Sequence, residues 1–174
     1  MDRFEHIVRA VGATAVLLLL GACAGTPSVD DGAAAQRSIE RPHIPDTQPH
    51  GVRGTVTRVA TDMLGVPYRY GGTSPSEGFD CSGLVFYAYT YAGLSVPRNS
   101  VELFKAAEKI PLDAAREGDL VFFQDQRKLS HVGIYLGDNR FVHAPSSGST
   151  VRVSTLDSAY YRRHLVGVGR LIGD

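Results

Sequence analysis

His131-Val132-Gly133-Ile134-Tyr135-Leu136-Gly137-Asp138-Asn139-Arg140-Phe141-Val142-His143-Ala144 decides the fold of this chain. Val132, Ile134 and Leu136 alternate with His131, Gly133 and Tyr135, and Val142 and Ala144 alternate with Phe141 and His143. A period of two broken by a Gly-Asp-Asn turn reads as a β-hairpin. If both apolar sets face one core, paired residue numbers sum to an even value, as for Ile134 with Val142. That pairing asks for an odd loop such as Gly137-Asp138-Asn139. The same register puts His131 and His143 together on the opposite, polar face, one diagonal step and roughly 7–8 Å apart between backbones. Gly133 lies between them and leaves room for another element. A one-residue slip would split the histidines and break the apolar face together.

Outward from the hairpin, residues 119–124, 150–154 and 165–172 read as further strands, giving about five with 131–136 and 140–144. Upstream the period lengthens. Residues 55–64 read as a helix closed by Gly65. Residues 80–92 place Cys81, Leu84, Val85, Ala88 and Ala92 on one helical face with Gly93 as the stop. Residues 99–107 form a short helix with Asn99 and Glu102 as a capping box. Helices followed by an antiparallel sheet make an α+β domain spanning 55–174.

Cys81 follows the capping residue Asp80 into the first turn of its helix. Unpaired backbone N–H groups and the helix dipole favour an anion there, hence a thiolate, the nucleophilic form. A helix-tip cysteine facing two linked histidines is a cysteine-hydrolase arrangement. In it His131 takes the thiol proton and later protonates the leaving amine, while His143 holds the imidazole of His131 in the right tautomer. Two other readings stand beside it: Cys81 as a buried structural residue, and a zinc site built from Cys81, His131 and His143. No close-spaced ligand pair such as H-x-H or C-x-x-C supports zinc, so no metal and no cofactor are expected. His6, His43, His50 and His164 fall in stretches that assign them no role.

The 174 residues carry 18 Lys plus Arg against 18 Asp plus Glu, a formal net charge of zero. That balance removes the electrostatic case for a nucleic-acid partner. Ahead of the domain, residues 10–22 run without charge and are centred on Val16-Leu17-Leu18-Leu19-Leu20. A bilayer-spanning helix needs roughly 20 apolar residues, so the run suits a signal-peptide core over residues 1–22 better than an anchor. It ends in Leu20-Gly21-Ala22-Cys23, which resembles a bacterial lipobox whose Cys23 is lipidated and becomes the mature first residue. Ala24 lacks the aspartate linked to inner-membrane retention, so the resemblance implies an outer-membrane anchor facing the periplasm. Residues 24–54, with Pro27, Pro42, Pro45 and Pro49, read as a flexible tether with a span of roughly 30 Å.

Six ordered motifs carry a further resemblance. They are Pro67-Tyr68-Arg69-Tyr70-Gly71-Gly72, Asp80-Cys81-Ser82-Gly83-Leu84-Val85, Pro97-Arg98-Asn99-Ser100, Gly118-Asp119-Leu120-Val121-Phe122-Phe123, and the two arms of the hairpin. Together they resemble the NlpC/p-sixty family of cell-wall cysteine peptidases over essentially the whole of 55–174. The resemblance implies a papain-like fold and hydrolysis of peptidoglycan stem peptides, usually at the γ-D-glutamyl–diamino acid bond. It implies Cys81 as nucleophile, His131 as base and His143 as the orienting third residue. Tyr68 matches a tyrosine that helps the oxyanion, beside the backbone N–H of Cys81 or Ser82, with core packing as its other reading. Asp80 has two compatible readings: helix cap, and, with Ser82, a group facing the substrate's charged end. Arg98 reads as a fork tying loops together. The 73–78 loop is about one residue longer than the family pattern, which bears on the cleft edge. A regulator of wall hydrolysis is expected in outline only. A weakly catalytic wall-binding lipoprotein and a related amidase or acyltransferase remain the alternative functions.

Overall fold

The hairpin pairs as expected, Ile134 opposite Val142 and Tyr135 opposite Phe141, but it turns differently. In the computed structural model, which describes residues 51–125 and 128–173, Gly137 pairs with Arg140 across a two-residue turn. Asp138 and Asn139 both take positive φ, 48° and 56°, as a type I′ turn requires. A shift between Tyr135 and Gly137 leaves Leu136 as the extra residue. This bulge returns an even-sum register to a hairpin whose two-residue turn alone would give the odd one.

In chain order the elements are α1 (Val52–Asp62), β1 (Thr73–Ser74), β2 (Gly78–Phe79), α2 (Cys81–Tyr91), α3 (Ser100–Ala106), β3 (Glu108–Ile110), a 3-10 turn at Leu112–Ala114, β4 (Leu120–Asp125), β5 (Lys128–Gly137), β6 (Arg140–His143), β7 (Arg152–Thr155), α4 (Ala159–His164) and β8 (Leu165–Arg170). The main sheet has six strands in the order β3-β8-β4-β5-β6-β7, every neighbour antiparallel. The sixth is β3, an edge strand with Glu108 and Lys109 exposed, so it carries no apolar alternation to read. The six-residue α4 buries no residue and is likewise without a helical stripe. The 73–78 stretch is folded into a small ribbon, β1 running into β2 with Thr73 opposite Phe79 and Ser74 opposite Gly78. The signal peptide, Cys23 and most of the tether lie outside the described residues.

One face of the sheet, through Leu120, Phe122, Val132, Ile134, Val142 and Ala144, packs on α1, α2 and α3. α1 begins at Val52, three residues ahead of the expected start, and buries Val56, Val59 and Ala60 at helical spacing. Its Gly, Thr and Val content makes it a poor helix on propensity, so burial holds it: each such side chain contributes about 1.5–3 kcal/mol. α2 is apolar on most sides, with Leu84, Val85, Ala88 and Tyr89 buried, and Tyr89 donates its hydroxyl proton to the Gly118 carbonyl. Gly83 in its first turn is obligatory for a steric reason. A Cβ there would lie 2.0 Å from the Gly72 carbonyl oxygen.

The other face was expected to be polar. It carries a second apolar cluster of Val121, Phe123, Tyr135, Phe141, Leu156 and Val168, with Tyr161 of α4 packed against it. The room left at Gly133 is taken by Phe141, whose ring would stand 2.6 Å from a Cβ at 133. His143 is therefore fully buried, its ring 4.8 Å from that of Phe141.

Away from the hairpin, Asp119 is fully buried under two arginines. It accepts from Arg53 at 2.8 Å, from Arg170 at 2.8 and 3.1 Å, and from the Arg116 backbone N–H at 2.8 Å. Burial works to raise its pKa, but these donors outweigh it and hold the carboxyl below the usual range. The knot joins α1 to β8 and the start of β4.

Candidate active site

Cys81 opens α2, where Asp80 caps the helix by accepting from the Gly83 N–H at 2.6 Å. The same carboxylate takes a two-pronged contact from Arg98, at 2.9 Å on each oxygen, and a third donor from the Gly71 N–H at 2.9 Å. Ser82, itself buried, donates to Asp80 Oδ1 at 3.2 Å and accepts from Arg98 at 2.9 Å. Arg98 also reaches the Gly72 carbonyl at 3.3 Å, which ties α2 to the 71–72 turn. Both Asp80 oxygens are thus occupied within the protein. Burial pushes Asp80 upward, and Arg98 with the Gly83 and Gly71 N–H groups overcomes it, so the carboxyl stays ionised.

The thiol is half-buried and free. Burial and then the Asp80 carboxylate push its pKa up, against the pull of the Val132, Ser82 and Cys81 N–H groups. The helix terminus was expected to leave a thiolate; dehydration and a neighbouring anion win instead, and the resting group is the thiol. Tyr68 stands in the same field. Burial, then Cys81 and Asp80, raise its pKa, so its hydroxyl stays protonated and able to donate.

The histidines meet as the register requires. His131 Nε2 and His143 Nδ1 are 2.7 Å apart, and His143 Nε2 lies 2.9 Å from Ser154 Oγ and 3.4 Å from the Tyr161 hydroxyl. Burial lowers the pKa of His131 to about 4, with Arg152 adding to it, and lowers His143 further. Both imidazoles rest neutral. A proton chain consistent with His131 as a base runs from His131 Nε2–H to His143 Nδ1, and from His143 Nε2–H to Ser154. It leaves Nδ1 of His131 with a lone pair. Their nitrogens point at one another and not at a common centre, and no trio of His, Cys, Asp or Glu among the described residues is arranged to hold a metal.

Cys81 and His131 approach from opposite faces of the sheet, since α2 packs on the Val132 side. They come together in the first half of β5: the Val132 N–H, one residue from His131, is among the groups that act on the thiol. A bulge between Phe123 and Gln124 of β4 leaves Ser130 as the extra residue just before His131. Such bulges increase local twist and re-aim side chains. Ser154 and Tyr161 escape the sequence reading because they lie on β7 and α4. Ser154 had a signal, since it alternates with Val151 and Val153 and so shares the His143 face; Tyr161 had none.

A cavity of about 530 Å³ opens on the α4 face beside His131, lined by Phe123, Arg152, Tyr160, Tyr161 and His164 among others. His164 enters the site region from a stretch that looked inert in sequence.

The profile of the NlpC/P60 family matches residues 65–170. The chain belongs to that family. It is 39% identical over 125 residues to the murein DD-endopeptidase MepH of Escherichia coli K12, covering 67% of this chain and 46% of MepH. It is 42% identical over 120 residues to the bifunctional muramidase/DL-endopeptidase CwlT of Bacillus subtilis 168, covering 67% of this chain and 36% of CwlT. Among solved structures, a lipoprotein-like NLP/P60 protein of Staphylococcus aureus superposes with a TM-score of 0.64 at 36% identity, covering 74% of this chain and 45% of that one. The chain spans less than half the length of these NlpC/P60 relatives.

Proposed function

We propose that this chain is a lipid-anchored peptidoglycan endopeptidase that cuts stem peptides by a Cys81–His131–His143 mechanism, at the γ-D-glutamyl–diamino acid bond. The observation that carries the reading is the 2.7 Å His131–His143 contact, made from the strand whose Val132 N–H acts on the Cys81 thiol. The names of its relatives, which include a murein DD-endopeptidase and a bifunctional muramidase/DL-endopeptidase, support the substrate class.

The chemistry follows from neutral partners. As the substrate amide approaches, the thiol proton moves to His131 Nδ1 and Sγ attacks the carbonyl carbon. The developing oxyanion takes a hydrogen bond from the Tyr68 hydroxyl and a backbone N–H at the start of α2. His131 Nδ1–H then passes its proton to the leaving nitrogen, the C–N bond breaks, and a thioester remains on Cys81. Water, deprotonated by His131, attacks the thioester, and the proton returns to sulfur as the acid departs. His143 keeps Nε2–H of His131 engaged throughout, so Nδ1 stays available. Asp80, Ser82 and Arg98 set the position of the α2 terminus, and any substrate contact of Asp80 and Ser82 is made through groups already shared with Arg98.

Cys23 places the enzyme in the bacterial envelope, on the outer membrane facing the periplasm, with residues 24–50 as its reach. A partner that regulates access belongs to the same proposal. The test is mass spectrometry of muropeptides treated with the full chain in detergent, beside Cys81→Ala. Loss of every new fragment in Cys81→Ala, with an unchanged circular dichroism spectrum, is the expected outcome, and fragment masses name the bond. Fragments that persist in the variant would sink the mechanism; none from either protein would favour a wall-binding role.

A further inference from the structure

Resting on the endopeptidase reading, the geometry points to Arg152 as the residue that recognises a free carboxylate on the leaving half of the substrate. The cavity supplies the direction. The leaving nitrogen must take its proton from His131, so the residue that carries it stands over that imidazole. The 530 Å³ cavity is walled by His131 but not by Cys81, Tyr68 or Asp80. Those three mark the acyl half, and the cavity takes the other.

Arg152 supplies the charge. It stands directly opposite His143 in the β6–β7 register, on the same face as the histidine pair, and its side chain is exposed to the cavity. No ion pair joins it to a described residue, Asp125 in the cavity lining included. Its charge reaches both imidazoles, which it helps to keep neutral. The other arginines beside buried groups, Arg53, Arg98 and Arg170, are spent on Asp119 or Asp80. Tyr160 and Tyr161, edge to face at 5.2 Å, wall the cavity with rings that suit an alkyl chain. An unpaired guanidinium at the end of such a slot selects a diamino acid bearing a carboxylate over a lysine-like one, because arginine holds carboxylates with paired hydrogen bonds and repels an ammonium.

Two carboxylates could meet it: the side-chain one of a diaminopimelate residue, or the main-chain terminus of the stem. Three peptides separate them: L-alanyl-γ-D-glutamyl-diaminopimelate with both groups free, with the side-chain carboxyl amidated, and with the main-chain carboxyl amidated. Each is assayed with the full chain in detergent, as wild type, Arg152→Gln and Arg152→Lys. In the wild type one of the two amidations lowers kcat/KM by about ten- to a hundredfold, mostly through KM, and identifies the group. In Arg152→Gln that penalty falls to about twofold or less, while Arg152→Lys keeps a good part of it. An Arg152→Gln loss equal on all three peptides, or a penalty unchanged by the substitution, overturns the assignment while leaving the endopeptidase reading intact. If the wild type cuts no peptide, the endopeptidase reading falls and takes this assignment with it.

Discussion

The fold buries two polar clusters and treats them in opposite ways. At Asp119 a carboxylate is surrounded by Arg53, Arg170 and a backbone donor, so its charge is fully answered. At His131 and His143 a half-buried and a fully buried imidazole sit beside Ser154 and Tyr161, with no acid among the described residues bonded to either. The first arrangement fixes a charge in place. The second keeps a group neutral and able to exchange a proton with its neighbours. A fold can hold buried polarity for architecture by saturating it, and for chemistry by leaving one lone pair unspent.

Breaking the first cluster gives the largest effect on stability. Asp119→Ala leaves two partly buried arginines without their acid and lowers the free energy of unfolding by about 3 kcal/mol in urea titrations. Activity per folded molecule is little changed, because no atom of the knot touches the site. Breaking the second cluster reverses the balance. His143→Leu fills the same volume with an apolar group but leaves Nε2–H of His131 and the Ser154 hydroxyl without their partner, so stability falls by about 1–3 kcal/mol, less than at Asp119. Turnover of muropeptides drops by about a hundredfold or more, because His131 loses the partner that fixes its tautomer.

The legibility of the two clusters differs for a physical reason. The histidine pair is written in alternation along one hairpin, so the sum rule locates both residues, 12 positions apart. The Asp119 knot joins residues 66 and 51 positions apart, with no local pattern linking Arg53, Asp119 and Arg170. The cap at Asp80 and the fork of Arg98 were visible because side-chain type and position name their roles. The state of the thiol was not: the dipole argument sees the helix terminus but not the water removed from it or the charge of Asp80. The apolar second face was equally hidden, since Tyr135 and Phe141 look compatible with either surface.

Acid sharpens the contrast. A neutral buried imidazole contributes stability above about pH 6.5, where the unfolded chain also leaves it uncharged. That contribution is lost as pH falls from 6.5 through about 4, because the unfolded chain takes up a proton that His131 refuses in the fold. The slope is at most about 1.4 kcal/mol per pH unit for each proton. Asp119, with its pKa lowered, keeps its contribution until the carboxyl range and loses it below. Urea titrations from pH 7 to 3 should therefore show two regions of decline, with His143→Leu flattening the upper and leaving the lower. A single decline confined to the carboxylate range would contradict the neutral pair. The smallest effect on stability is expected for Tyr68→Phe, which removes one oxyanion donor and lowers kcat by about a hundredfold with KM unchanged. A change in KM alone would assign the hydroxyl to substrate binding instead.

The bulge at Leu136 has a consequence for how this hairpin can evolve. Whether the two imidazoles share a face depends on whether the number of residues between the arms is odd or even, and on the one extra residue that corrects it. A single insertion or deletion at the Asp138-Asn139 tip, which holds no catalytic residue, would flip one arm and separate the histidines. Length drift there is tolerated only in twos, or when a bulge appears or vanishes with it. The tip is thus as tightly inherited as the residues it never touches.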